Sequence, residues 1–389
     1  MTQPTGARIC IGVNGIGSGH STRQLRIARE LARRGNAVAI LATGRASEIF
    51  TPLEFPVYQV VMPSMFGGPR HLQWGGILRA EVPRLARSAR TVAAARTAMK
   101  QQFGEPDLYI SDFEPCSAYF SYLERKPLVT LEQQSKYRFL EFPDLHGFSA
   151  RVERQRMQLF APRAQQSFSG SFVPIDAPPR GRTRRRVTIT PPIISSDVLR
   201  LSAQQRDRGE SGLSVAYFLE YFSDRNIHLA KRLGEVFGRC FPERELHVYL
   251  PGNVDGITSE YDNVSYRPAS RDSFLQDLLR CDNVFASAGY NLISECILLQ
   301  VPMYLVPAPT YDQVWCAATA EQHGIGTRND DIREESVRDF VEQCAQGRYA
   351  KSVGALRDHV SNDPVPMIVD AIEELVNRKP SPAYEGRTS

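Results

Sequence analysis

The stretch GVNGIGSGHSTRQLRIARELARRGNAVAILATG, from Gly12 to Gly44, narrows what this chain can fold into more than any other. The run ARICIGVNG reads as a short apolar strand ending in glycine. Leu25, Ile27, Ala28, Leu31 and Ala32 then recur at helical spacing, and Gly35 stops that helix. AVAILATG is apolar on both faces, as a parallel strand covered on both sides must be. Strand, helix and strand in this order join two parallel neighbours through a crossover, so the chain builds a parallel sheet with helices on its faces.

The alternation continues. A helical stretch from Ile77 to Phe103 leads into the strand PDLYISDFEP, and KPLVTLEQQ reads as the next strand. Between Pro174 and Ser202 the pieces PPR, GRTRRR and TPPIISS, dense in proline and arginine, mark an exposed connection. Beyond it the alternation restarts with LSVAYFLEYF and runs through ELHVYLPG, NVFASAG and VPMYLVPAP, with helices between them. The expected fold is therefore α/β: two parallel-sheet domains in series, residues 1–190 and 191–375, followed by a disordered tail at 376–389. A chain of 389 residues is longer than one hydrophobic core ordinarily serves.

Composition removes several function classes. With 42% hydrophobic and 23% charged residues the chain is globular, and no apolar run approaches a membrane span. A net charge of +4 is too mild for a dedicated nucleic-acid binder. The seven cysteines are scattered without a CxxC, and the seven histidines show no metal spacing, so neither a disulfide scaffold nor a metal site is expected. MTQPTGAR lacks the apolar core of a signal peptide, and the expected location is the cytoplasm.

The glycine loop is not a dinucleotide fingerprint. Gly15, Gly17 and Gly19 are present, but His20 and Thr22 occupy the two positions where a final glycine would stand, and the second strand has no acidic tip. What remains is a loop at the carboxyl end of the first strand, where open α/β sheets bind ligands. His20 falls at the start of the helix, where the dipole disfavours the imidazolium and leaves a ring able to accept a proton. Asp112 ends the strand LYISD, and strand ends converge on one crevice, so its carboxylate can reach the ring nitrogen of His20 remote from the reacting group. The plainer readings are a helix-capping histidine for His20 and a cap on the following SAYFSYLER helix for Asp112.

In the second half, Ala288 and Gly289 at a strand–helix junction turn backbone amides towards an anion. Asn291 lies in the first turn of that helix, and Glu295, one turn on and on the same face, suits the two hydroxyls of a ribose. Asp312 and Gln313 at the next loop tip suit bidentate bonding to sugar hydroxyls.

These two regions resemble the GT-B glycosyltransferases, and in particular the UDP-glycosyltransferases and the peptidoglycan glucosaminyltransferases. The loop GIGSGHSTR resembles their N-terminal motif, and SAGYNLISE followed by PAPTYDQ resembles their donor signature. The resemblance implies two Rossmann-like domains whose parallel sheets face a central cleft, and an inverting transfer of a sugar from a nucleotide diphosphate, with UDP as the expected carrier and no metal. His20 would be the general base and Asp112 its partner. Gly17, Gly19, Ser287, Ala288, Gly289 and Asn291 would line the diphosphate side, Glu295 would hold the ribose, and Asp312 and Gln313 the donor sugar.

The chain departs from the family where plant-type members place histidine at Ser287, serine at Leu292 and, in many, asparagine at Cys316. The first strand of the second half also lacks the usual small residue and carries Glu220, leaving Tyr221 and Ser223 as substitutes. The acceptor is expected on the first domain, against Phe66, His71 and Trp74 in a loop from Pro63 to Gly76, and against Gln133 and Gln134, with Tyr137 and Arg138 nearby. A small molecule or a lipid-linked acceptor both remain open, the latter because the arginine run suits peripheral attachment at a membrane face. Two alternatives stand beside the transferase: a non-hydrolysing sugar-nucleotide epimerase, although a GTRPE-like loop is missing, and a non-catalytic partner that activates another transferase.

Overall fold

The computed structural model describes residues 6–15, 19–61, 74–145, 147–160, 164–176, 187–203, 211–218, 223–250, 254 and 256–378, with the backbone alone at 74–86, 159–160 and 223–224. Two parallel sheets organise it. The first has seven strands in the order β3 (Val57–Val60), β2 (Ala37–Thr43), β1 (Arg8–Val13), β4 (Leu108–Asp112), β5 (Leu128–Glu132), β6 (Gln166–Gly170) and β7 (Val187–Thr190), and the second six in the order β10 (Val264–Pro268), β9 (Glu245–Leu250), β8 (Leu213–Tyr217), β11 (Asn283–Ala286), β12 (Met303–Leu305) and β13 (Gly326–Arg328).

In the first sheet β1 (Arg8–Val13), β2 (Ala37–Thr43), β4 (Leu108–Asp112) and β5 (Leu128–Glu132) carry the centre. These strands are buried along nearly their whole length, which is why they read as unbroken apolar runs. Helix α1 (Gly19–Arg33) lays Ile27, Ala28 and Leu31 on that sheet. It ends at Gly35, whose φ of 89° is left-handed backbone that closes a helix without Cβ strain.

The chain runs from β1 to β2 on one side and reaches β4 on the other. Val13 of β1 therefore lies in register with Asp112 of β4. That point of reversal is a crevice, and α1 opens at it. The second sheet repeats the arrangement around β8 (Leu213–Tyr217) and β11 (Asn283–Ala286), with Ala286 in register with Tyr217. Helix α10 (Tyr290–Leu298) opens at that second reversal.

Two local expectations change. The long helix α3 runs Trp74–Gln102, so Trp74 opens a helix and does not sit in the loop. The proline- and arginine-rich connection contains β7 (Val187–Thr190) and α7 (Ser196–Ser202), because Val187 to Thr190 extend the first sheet beside β6 (Gln166–Gly170). The arginine run at 180–186 lies outside the described residues.

The last helix, α14 (Val365–Asn377), lies on the first sheet's side of the molecule. Val365, Ile368, Val369 and Ile372 join the cluster of Ile27, Leu31 and Ile40, and Arg34 pairs with Asp370 at 2.5 Å. Residues 379–389 lie outside the described part.

The halves also meet through aromatic side chains. Tyr137 packs edge-on against Tyr311 and Trp315 with centroids 5.1 and 6.0 Å apart, and Phe172 lies 6.0 Å from Tyr290.

Candidate active site

His20 is the second residue of α1, and its ring reaches the end of β4. Its Nδ1 lies 2.8 Å from Asp112 Oδ1, with the imidazole 15% exposed and the carboxylate wholly buried. Asp112 does not cap the helix after it. Glu114 does, accepting from the backbone N–H of Cys116 at 2.8 Å and Ser117 at 2.7 Å at the start of α4 (Pro115–Leu123).

Three donors hold Asp112 besides His20. Arg23, one turn along α1, gives its Nη2 to Oδ1 at 2.6 Å and to Oδ2 at 2.8 Å, and its Nε to Oδ2 at 3.1 Å. Gln24 Nε2 adds a bond to Oδ2 at 2.9 Å. Burial by itself would raise the Asp112 pKa, but the Arg23 charge and the hydrogen bonds from His20 and Arg23 outweigh it and keep the carboxyl below its ordinary value.

The backbone beneath is strained. Phe113 has φ of 53°, a left-handed conformation that a phenylalanine seldom adopts. Its carbonyl accepts from Asn14 Nδ2 at 2.8 Å, and its N–H donates to Glu132 Oε2 at 3.1 Å. Held in this way, its ring stacks on His20 at 6.3 Å with 20° between planes. Glu132, at the end of β5, accepts from the Ser135 hydroxyl. Burial, reinforced by the Asp112 charge, pushes its pKa up to about 7.

Across the cleft, Gly289 precedes α10 and its N–H turns back to Ser287 O at 2.7 Å. The first intrahelical bond runs from Ile293 N to Gly289 O, so the N–H groups of Tyr290, Asn291 and Leu292 come before the helical ladder begins. Ser287 and Ala288 are buried under this turn. A Cβ on Gly19 would run into Nδ2 of Asn291. The absence of a side chain at Gly19 thus brings the N-termini of α1 and α10 together, and two helix N-termini on one small space attract an anion.

The remaining expected donor residues are engaged with protein. Glu295 accepts from Nη1 and Nη2 of Arg271, at 3.1 and 2.7 Å, and Arg271 also holds Asp197 and Ser195 of the connection. Asp312 accepts from Gln133 Nε2 at 2.6 Å and from the Tyr137 hydroxyl at 3.1 Å. Burial raises the pKa of Asp312, with the Lys136 charge acting against that rise. Gln313 uses its Oε1 to accept from Ala308 N at 2.8 Å, inside its own loop. Gln134 is buried next to Gln133, and neither side-chain oxygen finds a partner among the described residues.

Gly17, Tyr221, Phe66 and His71 lie outside the described residues, as do the side chains of Ser223 and Trp74. Among the described residues no group of three His, Cys, Asp or Glu is placed to hold a metal ion, and no helix is long and apolar enough to cross a membrane.

Sequence reasoning missed Arg23, Gln24, Glu132, Lys136 and Arg271. Arg23 had a signal, since three residues after His20 places it on the same helix face. Lys136 had none. It is buried at the domain junction, bonded to Gly170 O at 3.1 Å and 4.3 Å above the Trp315 ring, and desolvation lowers its pKa to about 8.

A family model described as glycosyl transferase family 1 matches residues 7–345. No curated protein matches the sequence. Among solved structures, the chain is similar to the calicheamicin glycosyltransferase CalG4 at 16% identity, with a TM-score of 0.68 over 97% of this chain and 100% of that one. It is similar to Os79 of O. sativa, solved with UDP, at 13% identity and a TM-score of 0.68 over 95% and 100%. MurG of Acinetobacter baumannii follows at 16% identity and a TM-score of 0.60 over 95% and 99%. At such identities these likenesses carry the fold, and the fold is GT-B.

Proposed function

The chain belongs to glycosyl transferase family 1, and on that premise we propose that it is an inverting transferase that moves a sugar from a UDP-sugar to an acceptor hydroxyl, with His20 as general base. The observation that carries the reading is the meeting of the His20–Asp112 pair with the N-terminus of α10 across Gly19. A proton acceptor and an anion site then share one cleft.

In this reading Nδ1 of His20 donates to Asp112, and Nε2 takes the acceptor's proton. The acceptor oxygen attacks C1 of the sugar from the face opposite the diphosphate, which leaves with the electron pair of its C1–O bond. The anomeric centre inverts. Asp112 holds the ring and balances the imidazolium as it forms. The leaving diphosphate is met by the amides at the starts of α10 and α1, which is why we propose no metal. Glu295 takes the ribose after Arg271 gives way, and Asp312 takes the sugar after Gln133 does. The nucleotide class follows Os79, whose structure holds UDP.

A thermal-shift panel of UDP, GDP, TDP and their hexose conjugates, with NAD as control, tests the donor. UDP and one UDP-hexose are expected to raise the melting temperature. His20→Ala should keep that shift and lose turnover. A shift with NAD alone, or a flat panel as a non-catalytic partner would give, overturns the reading.

A further inference from the structure

Asp112 is a wholly buried carboxylate and needs a counter-charge, since an unpaired buried anion is strongly disfavoured. Two groups within hydrogen-bond reach can supply one, His20 and Arg23. The guanidinium keeps its proton at any ordinary pH, and Arg23 spreads three short bonds over both carboxylate oxygens. Its Nη2 also lies 3.0 Å from Nδ1 of His20. A second positive charge at that separation, in a site this poor in water, is repelled.

The ring proton is placed by the same contacts. Nδ1 faces Oδ1 at 2.8 Å, a distance at which two bare lone pairs would oppose each other, so a hydrogen belongs between them. Arg23 Nη2 donates to Oδ1 and Oδ2 at 2.6 and 2.8 Å, nearer than its 3.0 Å approach to Nδ1, so the charged carboxylate is its preferred acceptor. Nε2 has no hydrogen bond among the described residues. The other carboxylates acting on the pair are Glu132 behind Asp112 and Asp312 across the cleft.

We propose that Arg23 is a positioning residue that supplies the counter-charge of Asp112, so that His20 rests as a neutral imidazole with its proton on Nδ1 and a bare Nε2. The proposal rests on the reading of His20 as base, because a bare Nε2 is what a base must present. Without Arg23, His20 becomes the nearest cation for Asp112 and is spent as its counter-ion before any acceptor arrives.

The test is a two-bond proton–nitrogen correlation spectrum at neutral pH of the full chain labelled with ¹⁵N-histidine, with His20 assigned by the peak that His20→Gln removes. The wild type should show one protonated nitrogen and one bare nitrogen for His20. Arg23→Gln should lose the bare-nitrogen signal as the ring becomes imidazolium, and Arg23→Lys, which restores a cation, should keep it. A merely structural role would move the melting temperature and leave the ring pattern as it is. The proposal is overturned if the wild-type ring carries both protons, if the bare nitrogen is Nδ1, or if Arg23→Gln leaves the pattern unchanged. If Arg23→Gln does not fold, the wild-type and Arg23→Lys spectra still decide, the lysine variant opposing the proposal if it loses the bare nitrogen. A ring pattern as expected together with a flat nucleotide panel would instead sink the transferase reading alone.

Discussion

Among the described residues two histidines pair with buried aspartates, and one of the two faces the cleft. His247 Nδ1 lies 2.6 Å from Asp277 Oδ2, as close a contact as His20 makes with Asp112. Arginine attends both carboxylates, Arg23 in one case and Arg267 with Arg280 in the other. The pairs differ at the second ring nitrogen. In His247 it meets Arg267 Nη2 at 2.9 Å and Glu245 at 3.4 Å, whereas in His20 it is left without a hydrogen bond among the described residues. Tyr249 further ties Asp277, so the His247 cluster is closed upon itself and fastens β9 (Glu245–Leu250) to helix α9 (Arg271–Arg280). A histidine held by an aspartate is therefore not by itself a base. A free nitrogen at the reversal of a sheet is what the proposed base role asks for, and of the two it is His20 that has one.

The largest effect that can break this comparison is in turnover. His20→Ala should lower kcat by about 10²–10⁴-fold, as loss of a positioned base does, with donor affinity kept. His247→Ala should leave kcat of the folded protein within about twofold and lower the melting temperature. If both variants lost turnover alike, the distinction drawn from the second nitrogen would be wrong.

Removing the carboxylates separates the pairs along another axis. Asp112→Asn leaves Arg23 buried without its partner and should destabilise the protein by about 3–5 kcal/mol in denaturant unfolding, with turnover lost as well. Arg267 and Arg280 are more exposed, and solvent can take over their charge, so Asp277→Asn should remove about 1–3 kcal/mol with turnover intact.

A third difference is in pH. Glu132 stands behind the first pair with its pKa raised to about 7 from 4.5, whereas Glu245 beside the second is 71% exposed. A raised carboxyl binds its proton more tightly in the fold than in the unfolded chain. Its contribution is therefore complete below about pH 4.5 and is lost as pH rises through about 7, with a span on the order of 3 kcal/mol. Glu132→Gln should flatten unfolding free energy across that window, and Glu245→Gln should not. Equal slopes for wild type and Glu132→Gln would show that Glu132 does not titrate there.

The smallest expected effect is at Gly19. Gly19→Ala should push Asn291 aside and raise the donor KM by about 3–10-fold with kcat nearly kept, since the obstacle is the end of a side chain that can turn away. An unchanged KM would show that the two helix starts need not meet.

Much of this was legible in the residues alone. His20 was found because it follows the loop after one strand and Asp112 because it ends another, and strand ends are marked locally by an apolar run that stops at glycine or at a polar exit. The loop before α10 was found for the same reason. Arg23 stood in plain view within the first motif, but its partner lies 89 positions away along the chain. Lys136 sits at the start of a short helix among polar neighbours, and nothing in KYRF announces an amine buried over Trp315. Asp312 and Glu295 were assigned to a ligand by their place in the motif, and the structure finds them held by Gln133 and Arg271. Such pairings form across elements that periodicity cannot relate.

The residue pattern alone specifies the parallel alternation, its restart after the connection and the two loops at the sheet reversals. Those follow from local burial, which writes itself into spacing at two and at 3.6 residues. Which charges face one another, which of two His–Asp pairs keeps a nitrogen free, and the return of α14 to the first sheet are settled in three dimensions. Those depend on how crossovers bring distant strand ends into register, and a buried charge is governed by whichever neighbour that register supplies.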